Sequence, residues 1–222
     1  MGHLLPRPDD LARTFPVFPL TGALLLPHGR LPLNIFEPRY LAMIDDALAA
    51  GRLFGMIQPD RQAPQVPTGP GLYRVGCLGR IVSFSETEDG RYLITLAGVV
   101  RFDVAEELAP RRGYRMVRAE FARFAADLKP AATLEAFDRP TLLDALRAYF
   151  AHRGIDANWE AIESMADDTL ITTLAMACPF EPAEKQALLE AATPRERAAA
   201  LLALLAIDVH AREADSAPPR AS

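Results

Sequence analysis

Residues 75–106 read VGCLGRIVSFSETEDGRYLITLAGVVRFDVAE, and this stretch decides the fold class. Its segments 75–85, 91–98 and 99–106 are rich in β-branched and aromatic residues, which is typical of strands. The polar link over 86–90 ends in Gly90, a residue that permits the positive φ of a hairpin turn. We therefore predict an antiparallel hairpin, in which Gly98 marks a bulge that redirects the chain into the next strand.

Working outward from the hairpin, we predict further strands over residues 14–20, 23–26, 53–58 and 114–124. Prolines punctuate the first two of these, which places them at edges or strand ends. A helix begins at Pro38, where a missing N–H costs nothing, and ends at Gly51. About six strands with one helix predict a closed or half-open barrel over residues 14–124, because closure removes exposed strand edges.

The second half of the chain, residues 130–210, shows helical periodicity with recognisable caps. Asp138 is a candidate N-cap, Gly154 a stop signal, and residues 193–196 form the pattern of a capping box. Strands first and helices second predict an α+β fold: a β-rich domain followed by a helical bundle. Residues 211–222 are polar and Pro-rich towards their end, and we predict a flexible tail there.

Composition narrows the function classes. The formal net charge is −5, which disfavours nucleic-acid binding, and no apolar run approaches the roughly 18 residues of a membrane span. The N-terminus lacks the pattern of a signal peptide. Cys77 and Cys178 are too few for a disulfide framework, so we expect a reducing compartment, the cytoplasm.

The sequence contains no complete catalytic pattern. The only lysines, Lys129 and Lys185, follow no glycine loop, which excludes a P-loop ATPase. None of the serines lies in a Gly-x-Ser-x-Gly motif, and the two cysteines are interpreted as small buried apolar residues. The four histidines are far apart, so we predict neither a metal site nor a cofactor. A hydrolase built on paired carboxylates is the weakest alternative.

One segment keeps RNA binding open as an alternative. Arg111, Arg112, Tyr114 and Arg115 combine positive charge with an aromatic ring, and further arginines follow up to residue 123. Such a mixture can hold phosphate and stack a base. The competing interpretation is a solvated strand edge whose charge discourages edge-to-edge pairing.

Residues 18–40, FPLTGALLLPHGRLPLNIFEPRY, resemble the N-terminal substrate-binding domain of Lon proteases. Residues 76–102 and the helical segment 184–190 are also similar to that family, and the resemblance covers residues 15–207. It implies a PUA-like pseudo-barrel followed by a helical bundle. In full-length Lon this domain engages unfolded or tagged substrates and helps to assemble the hexamer, and cereblon uses a related domain to bind partners.

The resemblance implies a non-catalytic polypeptide-binding module, because the sequence ends without the family's ATPase and Ser–Lys protease domains. We expect an unfolded polypeptide or a specific protein as partner, and a Lon-type protease is one candidate. Apolar side chains near the barrel mouth are the candidate contacts: Leu25, Phe36, Tyr40, Phe54 and Met56. The motif residues Glu37, Pro38 and Arg39 are expected to fix the helix start through capping and an ion pair.

Overall fold

The computed structural model describes residues 9, 11–130 and 137–216, and it has an α+β fold. The strands are β1 Thr14–Pro19, β2 Arg30–Ile35, β3 Leu53–Ile57, β4 Val75–Glu86, β5 Tyr92–Arg111 and β6 Tyr114–Glu120. The helices are α1 Pro38–Ala49, a 3-10 segment Ala122–Leu128, α2 Arg139–Arg153, α3 Trp159–Ser164, α4 Asp167–Ala177, α5 Pro182–Glu190 and α6 Pro194–Ser216. The predicted fold class, strands first and helices second, is confirmed.

The strands close into a barrel. Their order is β2-β5-β4-β3-β1-β6, and β6 pairs back onto β5, so five of the six strands form a ring. The neighbours β1 and β3 are parallel, whereas the other pairs are antiparallel. Closure satisfies the backbone groups of these five strands within the ring. Strand β2 lies outside the ring and pairs with the first half of β5.

The long strand β5 changes partners at Gly98. On one side, the first half of β5 pairs with β2 and the second half pairs with β6. On its other side, β5 pairs with β4. The β4–β5 register shifts between Leu78 and Gly79, which leaves Val99 as an extra residue on β5. This irregularity is the predicted bulge. A Cβ on Gly98 would lie 1.9 Å from the backbone oxygen of Leu26, so only glycine fits there.

The predicted strand over residues 23–26 is wrong, and β2 was not predicted. Residues 23–26 have no regular structure; Leu24, Leu25 and Leu26 are buried, and the loop that follows pairs its backbone with Gly98. Strand β2 contains Pro32, which cannot donate to a ladder. A proline is tolerated here because β2 lies at the edge of the sheet and has β5 as its strand partner in the described part of the chain.

Local signals placed the helices correctly. Pro38 occupies the first turn of α1, the Asp138 carboxylate accepts from the Thr141 N–H, and Gly154 ends α2 in the left-handed conformation. The Glu196 N–H donates to Thr193 Oγ1, and the Glu196 carboxylate accepts from the Ala192 N–H, a variant of the predicted capping box. None of the helices in the described residues is long and apolar enough to cross a membrane.

The predicted tail begins too early. Helix α6 continues to Ser216, so residues 211–216 are helical rather than part of a flexible tail, and residues 217–222 lie outside the described residues. Residues 211–214, Ala-Arg-Glu-Ala, have favourable helix propensity, which is consistent with the helix continuing past residue 210.

The barrel and the helices share a polar, buried contact. Gln58 on the loop after β3 donates to the carbonyl of Pro182, 3.0 Å away, and to the Gln186 side chain. Gln186 in turn donates to the Val75 carbonyl of β4 at 3.1 Å. Both glutamines are buried, and the apolar residues of the two halves form one contiguous cluster. Paired buried amides fix the register of the two halves more specifically than apolar contact does.

Arg101 of β5 is the centre of this contact. It is 3% exposed, and its guanidinium forms a bidentate ion pair with Asp127 of the 3-10 segment, with two N–O distances of 2.8 Å. A third nitrogen, Nη1, donates to the carbonyls of Leu189 and Ala191 at the end of α5. One side chain therefore joins barrel, connecting segment and helical bundle, and it caps carbonyls that a helix C-terminus leaves unpaired.

We expect Gly98→Ala to destabilise the fold by about 1–3 kcal/mol, because the new methyl group must push against the Leu26 backbone rather than against a flexible side chain. Urea unfolding followed by circular dichroism measures the change. The control is Gly90→Asn at the hairpin turn, where φ is +79° and no atom lies within 4 Å of the new Cβ. Asn tolerates that backbone, so equal losses in both variants would contradict the steric argument.

We expect Arg101→Met to cost about 3–5 kcal/mol in free energy of unfolding, because it leaves the Asp127 carboxylate and two helix-end carbonyls buried without their donor. Arg123→Met is the matched control, since the Arg123–Asp103 pair is exposed and should cost no more than about 1 kcal/mol. Urea denaturation of both variants decides the matter. A loss at Arg101 as small as that at Arg123 would show that the buried pair contributes nothing beyond a surface pair.

Candidate functional site

The structure separates the five predicted apolar contact residues into core and surface. Leu25, Phe54 and Met56 are at most 2% exposed, and Tyr40 is also buried. These four residues belong to the hydrophobic core, so the prediction that they form a contact surface is wrong. Phe36 is different: 64% of its surface is exposed.

The motif that follows Phe36 builds the start of α1. Arg39 donates to the Glu37 carboxylate at 2.8 Å, as predicted, but Glu37 makes no side-chain cap bond to the helix. The Arg39 guanidinium lies over the Tyr40 ring, 4.6 Å from its centroid, and that ring packs on Phe18 at 4.3 Å. Burial raises the pKa of the Tyr40 phenol, which Arg39 partly offsets. Glu37, Pro38 and Arg39 thus fix the helix start, and they hold Phe36 just before it.

An exposed apolar surface lies at the end of the sheet near Phe36. We call it the sheet-end surface and define it by the exposed residues Phe36, Val82, Phe84 and Leu93. Ile35, which precedes Phe36, pairs with Tyr92, and the Tyr92 ring contacts Phe84 with 5.0 Å between centroids. Phe36 directly follows β2, Val82 and Phe84 belong to β4, and Leu93 belongs to β5. Side chains alternate along a strand, so Phe84, which contacts Tyr92, lies on one face of this end of the sheet and Leu93 lies on the other.

Polar side chains border the sheet-end surface. Leu93 pairs with Asn34 on one side and with Ser85 on the other, and Ser83 pairs with Thr95. A shallow groove of about 400 Å³ runs along these pairs. Exposed apolar side chains with a polar rim are typical of surfaces that contact another chain. The sequence signal was the run of β-branched and aromatic residues around the acidic turn, but without β2 the surface could not be assembled.

The basic segment differs from the RNA-binding alternative. Each arginine that it contributes pairs with a carboxylate: Arg111 and Arg112 with Asp46, Arg115 with Glu107, Arg118 with Glu106 and Arg123 with Asp103. Tyr114 is 2% exposed and its hydroxyl donates to Asp46, so the ring offers no stacking face. The alternative of free cations beside an exposed aromatic is therefore contradicted: the five arginines pair with four carboxylates, and Arg111 and Arg112 share Asp46.

The hydrogen bonds of this segment also set its ionisation. The Tyr114 hydroxyl, followed by Arg112 and Arg111, holds the pKa of Asp46 below its ordinary value. Burial, together with the Asp46 carboxylate, raises the pKa of Tyr114 to about 12. Burial pushes the pKa of Glu107 upward, but bonds from Arg115 at 2.7 Å and Thr68 at 2.6 Å outweigh it, and the pKa is lowered.

A cleft of about 780 Å³ lies between the barrel and the helices. The loop before β2, the 3-10 segment, α4 and the start of α6 form its walls. His28 in that loop has a positive φ of 66°, a conformation that is uncommon outside glycine, and its side chain is exposed. No local sequence pattern indicates the cleft, because its walls come from both halves of the chain.

Burial governs the chemistry of the two cysteines and of Lys185 in the described part of the chain. Both cysteines are buried and free; burial raises the pKa of Cys77, and it raises that of Cys178 to about 12, so neither thiol is prepared as a nucleophile. Lys185 is buried, its pKa is lowered by burial, and it donates to the Met176 carbonyl. Among residues 9, 11–130 and 137–216, no group of three His, Cys, Asp or Glu side chains is arranged to hold a metal ion.

This barrel, with its helical extension, is the fold of Lon N-terminal domains. It superposes on the Lon N-terminal domain protein from Xanthomonas campestris with a TM-score of 0.57 and 24% identity, over 86% of this chain and 97% of that one. The N-terminal domain of Mycobacterium avium complex Lon protease gives a TM-score of 0.57 at 19% identity, over 87% and 98% of the two chains. At these identities the likeness establishes the fold.

The chain belongs to the family described as the ATP-dependent protease La (LON) substrate-binding domain, which residues 14–206 match. Among curated relatives, the Lon protease 2 of Sorangium cellulosum is 32% identical over 134 residues, which are 59% of this chain and 16% of that protein. The Lon protease of Azorhizobium caulinodans is 21% identical over 92% of this chain. The chain spans less than a quarter of the length of these relatives.

The Arg115–Glu107 pair predicts how stability depends on pH. The pKa of Glu107 is lower in the folded protein than the value of about 4.3 in an unfolded chain, so the pair stabilises the fold above that pH and less as the pH falls through the folded pKa. We expect the difference in unfolding free energy between the wild type and Glu107→Gln to be largest above pH 5 and to shrink towards pH 3. Urea titrations across this range measure it.

Glu106→Gln serves as the control for that series, because the neighbouring Arg118–Glu106 pair is exposed and should contribute little at any pH. A difference for Glu107→Gln that grew as the pH fell would have the wrong sign and would contradict a lowered pKa.

Proposed function

We propose that the chain is a non-catalytic polypeptide-binding module, which acts as an adaptor or substrate binder and contacts its partner through the sheet-end surface. The observation that carries the proposal is Phe36, an aromatic ring that the family motif holds at the start of α1 with 64% of its surface exposed. The substrate-binding family supports the ligand class. The partner is an unfolded polypeptide or a specific protein, and a Lon-type protease is among the candidates.

The chemistry of the sheet-end surface fits a ligand of varied sequence. Its apolar side chains offer area without directional demands, and aromatic rings supply large contact area at small entropic cost. Addition of a polypeptide as a further strand is disfavoured, because Pro32 interrupts the donors of edge strand β2. We therefore infer binding through side chains rather than through backbone pairing, and this mode tolerates differences between bound sequences.

The compartment belongs to the same proposal. Two free cysteines, both buried, are typical of a protein that folds under reducing conditions, and we propose a cytoplasmic location on that basis. The arginines of the basic segment are paired with carboxylates and give RNA binding no support. RNA binding therefore enters the experiment as an alternative outcome rather than as a second proposal.

We expect the double variant Phe36→Ser/Phe84→Ser to bind an unfolded polypeptide about tenfold more weakly or worse, because it removes two aromatic contacts from the sheet-end surface. Fluorescence anisotropy measures the affinity for a labelled polypeptide that is kept unfolded by reduction and alkylation of its cysteine thiols. Ile207→Ser is the matched control, since Ile207 is equally apolar and 60% exposed but lies on α6.

Equal loss in the control, or no loss in the double variant, would remove the sheet-end surface from the proposal. An RNA oligomer at low salt forms the parallel arm. Salt-sensitive RNA binding without polypeptide binding would replace the proposed function.

A further inference from the structure

Arg197 of α6 is a buried arginine without a full set of partners, and it lines the cleft between the barrel and the helices. It is 6% exposed; its Nε donates to the Leu188 carbonyl at 2.9 Å, and its Nη2 is buried without a hydrogen-bond partner. Burial, with the neighbouring Arg101, lowers the pKa of Arg197 to about 10, and the Asp127 carboxylate offsets only part of this effect. A buried cationic donor that lacks an acceptor is costly, and a bound anion is one way to satisfy it.

The second arginine of the cleft shows what a complete set looks like. Arg101 has Asp127 as its counter-ion and uses its remaining nitrogen on carbonyls at the end of α5. Asp127 is thereby engaged in a bidentate pair, and the structure shows no hydrogen bond between it and Arg197. Both arginines line the cleft. Arg101 is a structural side chain, whereas Arg197 has a donor without an acceptor.

The charge of the cleft favours an anion. Its walls contain four cationic side chains, Arg30, Arg101, Lys129 and Arg197, and two carboxylates, Asp127 and Asp168. This local excess of positive charge occurs in a chain whose formal net charge is −5. The cleft also includes the first turn of the long helix α6, whose N-terminal amides add a favourable field for negative charge.

The remaining walls combine threonines and His28 with several apolar side chains. The apolar side chains include Leu31, Pro32, Ile171, Met176 and Pro194. An inorganic anion would leave these side chains without contact, whereas a carboxylate attached to an apolar group would use both parts of the site. The volume of about 780 Å³ lies in the range of pockets that bury a ligand of drug size, which is also the size of the last few residues of a peptide.

We propose that this cleft binds the C-terminal carboxylate of a polypeptide, with Arg197 as the cation that meets it and the apolar walls around the last side chains. The inference rests on the proposed function, which makes a polypeptide the ligand, and it adds a second site with its own specificity. Capture of a chain terminus by fixed donors is an established recognition mode. The arginine fork suits a carboxylate, since it can donate two parallel bonds.

The experiment compares three labelled octapeptides of the same length by fluorescence anisotropy. One ends in leucine with a free carboxylate, the second has the same sequence with an amidated end, and the third has an internal aspartate and an amidated end. We expect the free acid to bind wild-type protein about ten- to hundredfold more tightly than the amide, the range of a hydrogen bond to a charged group. Unlabelled N-acetyl-leucine should displace the labelled peptide that has a free carboxylate, but it should not affect the signal of the amidated peptide.

A variant tests the assigned residue. Arg197→Met should abolish the preference for the acid, whereas Arg195→Met, which removes the same charge from an exposed position on the same helix, should leave it unchanged. Thermal unfolding of both variants establishes that they are folded. If Arg197→Met does not fold, the acid–amide comparison and the competition on wild-type protein still decide, because neither depends on a substitution.

The outcomes separate this inference from the proposed function. Equal binding of acid and amide, with unfolded polypeptide still bound at the sheet-end surface, overturns the cleft proposal alone. Binding of the internal-aspartate peptide as tight as that of the acid shows a general carboxylate site and overturns selectivity for the chain end. Absence of binding by every peptide and by unfolded polypeptide overturns both proposals.

Discussion

The structure depends on the burial of one charged side chain. Arg101 lies on β5 between Val100 and Phe102, which are both fully buried, and it neutralises Asp127 while it holds the end of α5. Five donors on a rigid plane allow one residue to satisfy a carboxylate and two carbonyls together, which a lysine cannot do. Since each partner would be costly to bury alone, barrel, connecting segment and helices are stable in this arrangement only together.

Signals that act within one turn were readable from the sequence. The hairpin at Gly90, the cap at Asp138 and the stop at Gly154 each depend on a few neighbouring residues, and the structure has all three. Strand β2 was not readable, because Pro32 opposes a strand locally and its edge position becomes visible only once β5 is in place. The role of Arg101 was hidden for the same reason, since its partners lie 26 to 91 residues away.

The candidate site shows the same division more sharply. Apolar residue type alone does not predict a contact surface, because it does not separate Phe54, which is fully buried, from Phe36, which is exposed. Charge has the same ambiguity: the arginines from 111 onward look like a basic patch until Asp46 of α1 and Glu107 of β5 are folded against them. Burial and ion pairing are properties of the fold. A site of this kind is therefore recognised from the ion-pair and hydrogen-bond partners of its side chains rather than from composition.

The hydrogen-bond partners of a buried group distinguish a structural role from a functional one, which sequence similarity to relatives cannot do. Relatives below 25% identity establish the fold but not the role of a residue, so each role must follow from this chain's own contacts. Arg101 and Arg197 are the same residue type in one cleft, both nearly inaccessible, and both lie near the end of α5. The donors of Arg101 are engaged, and they account for its burial. Arg197 is also buried, but its Nη2 has no hydrogen-bond partner, which is why this donor points to a ligand.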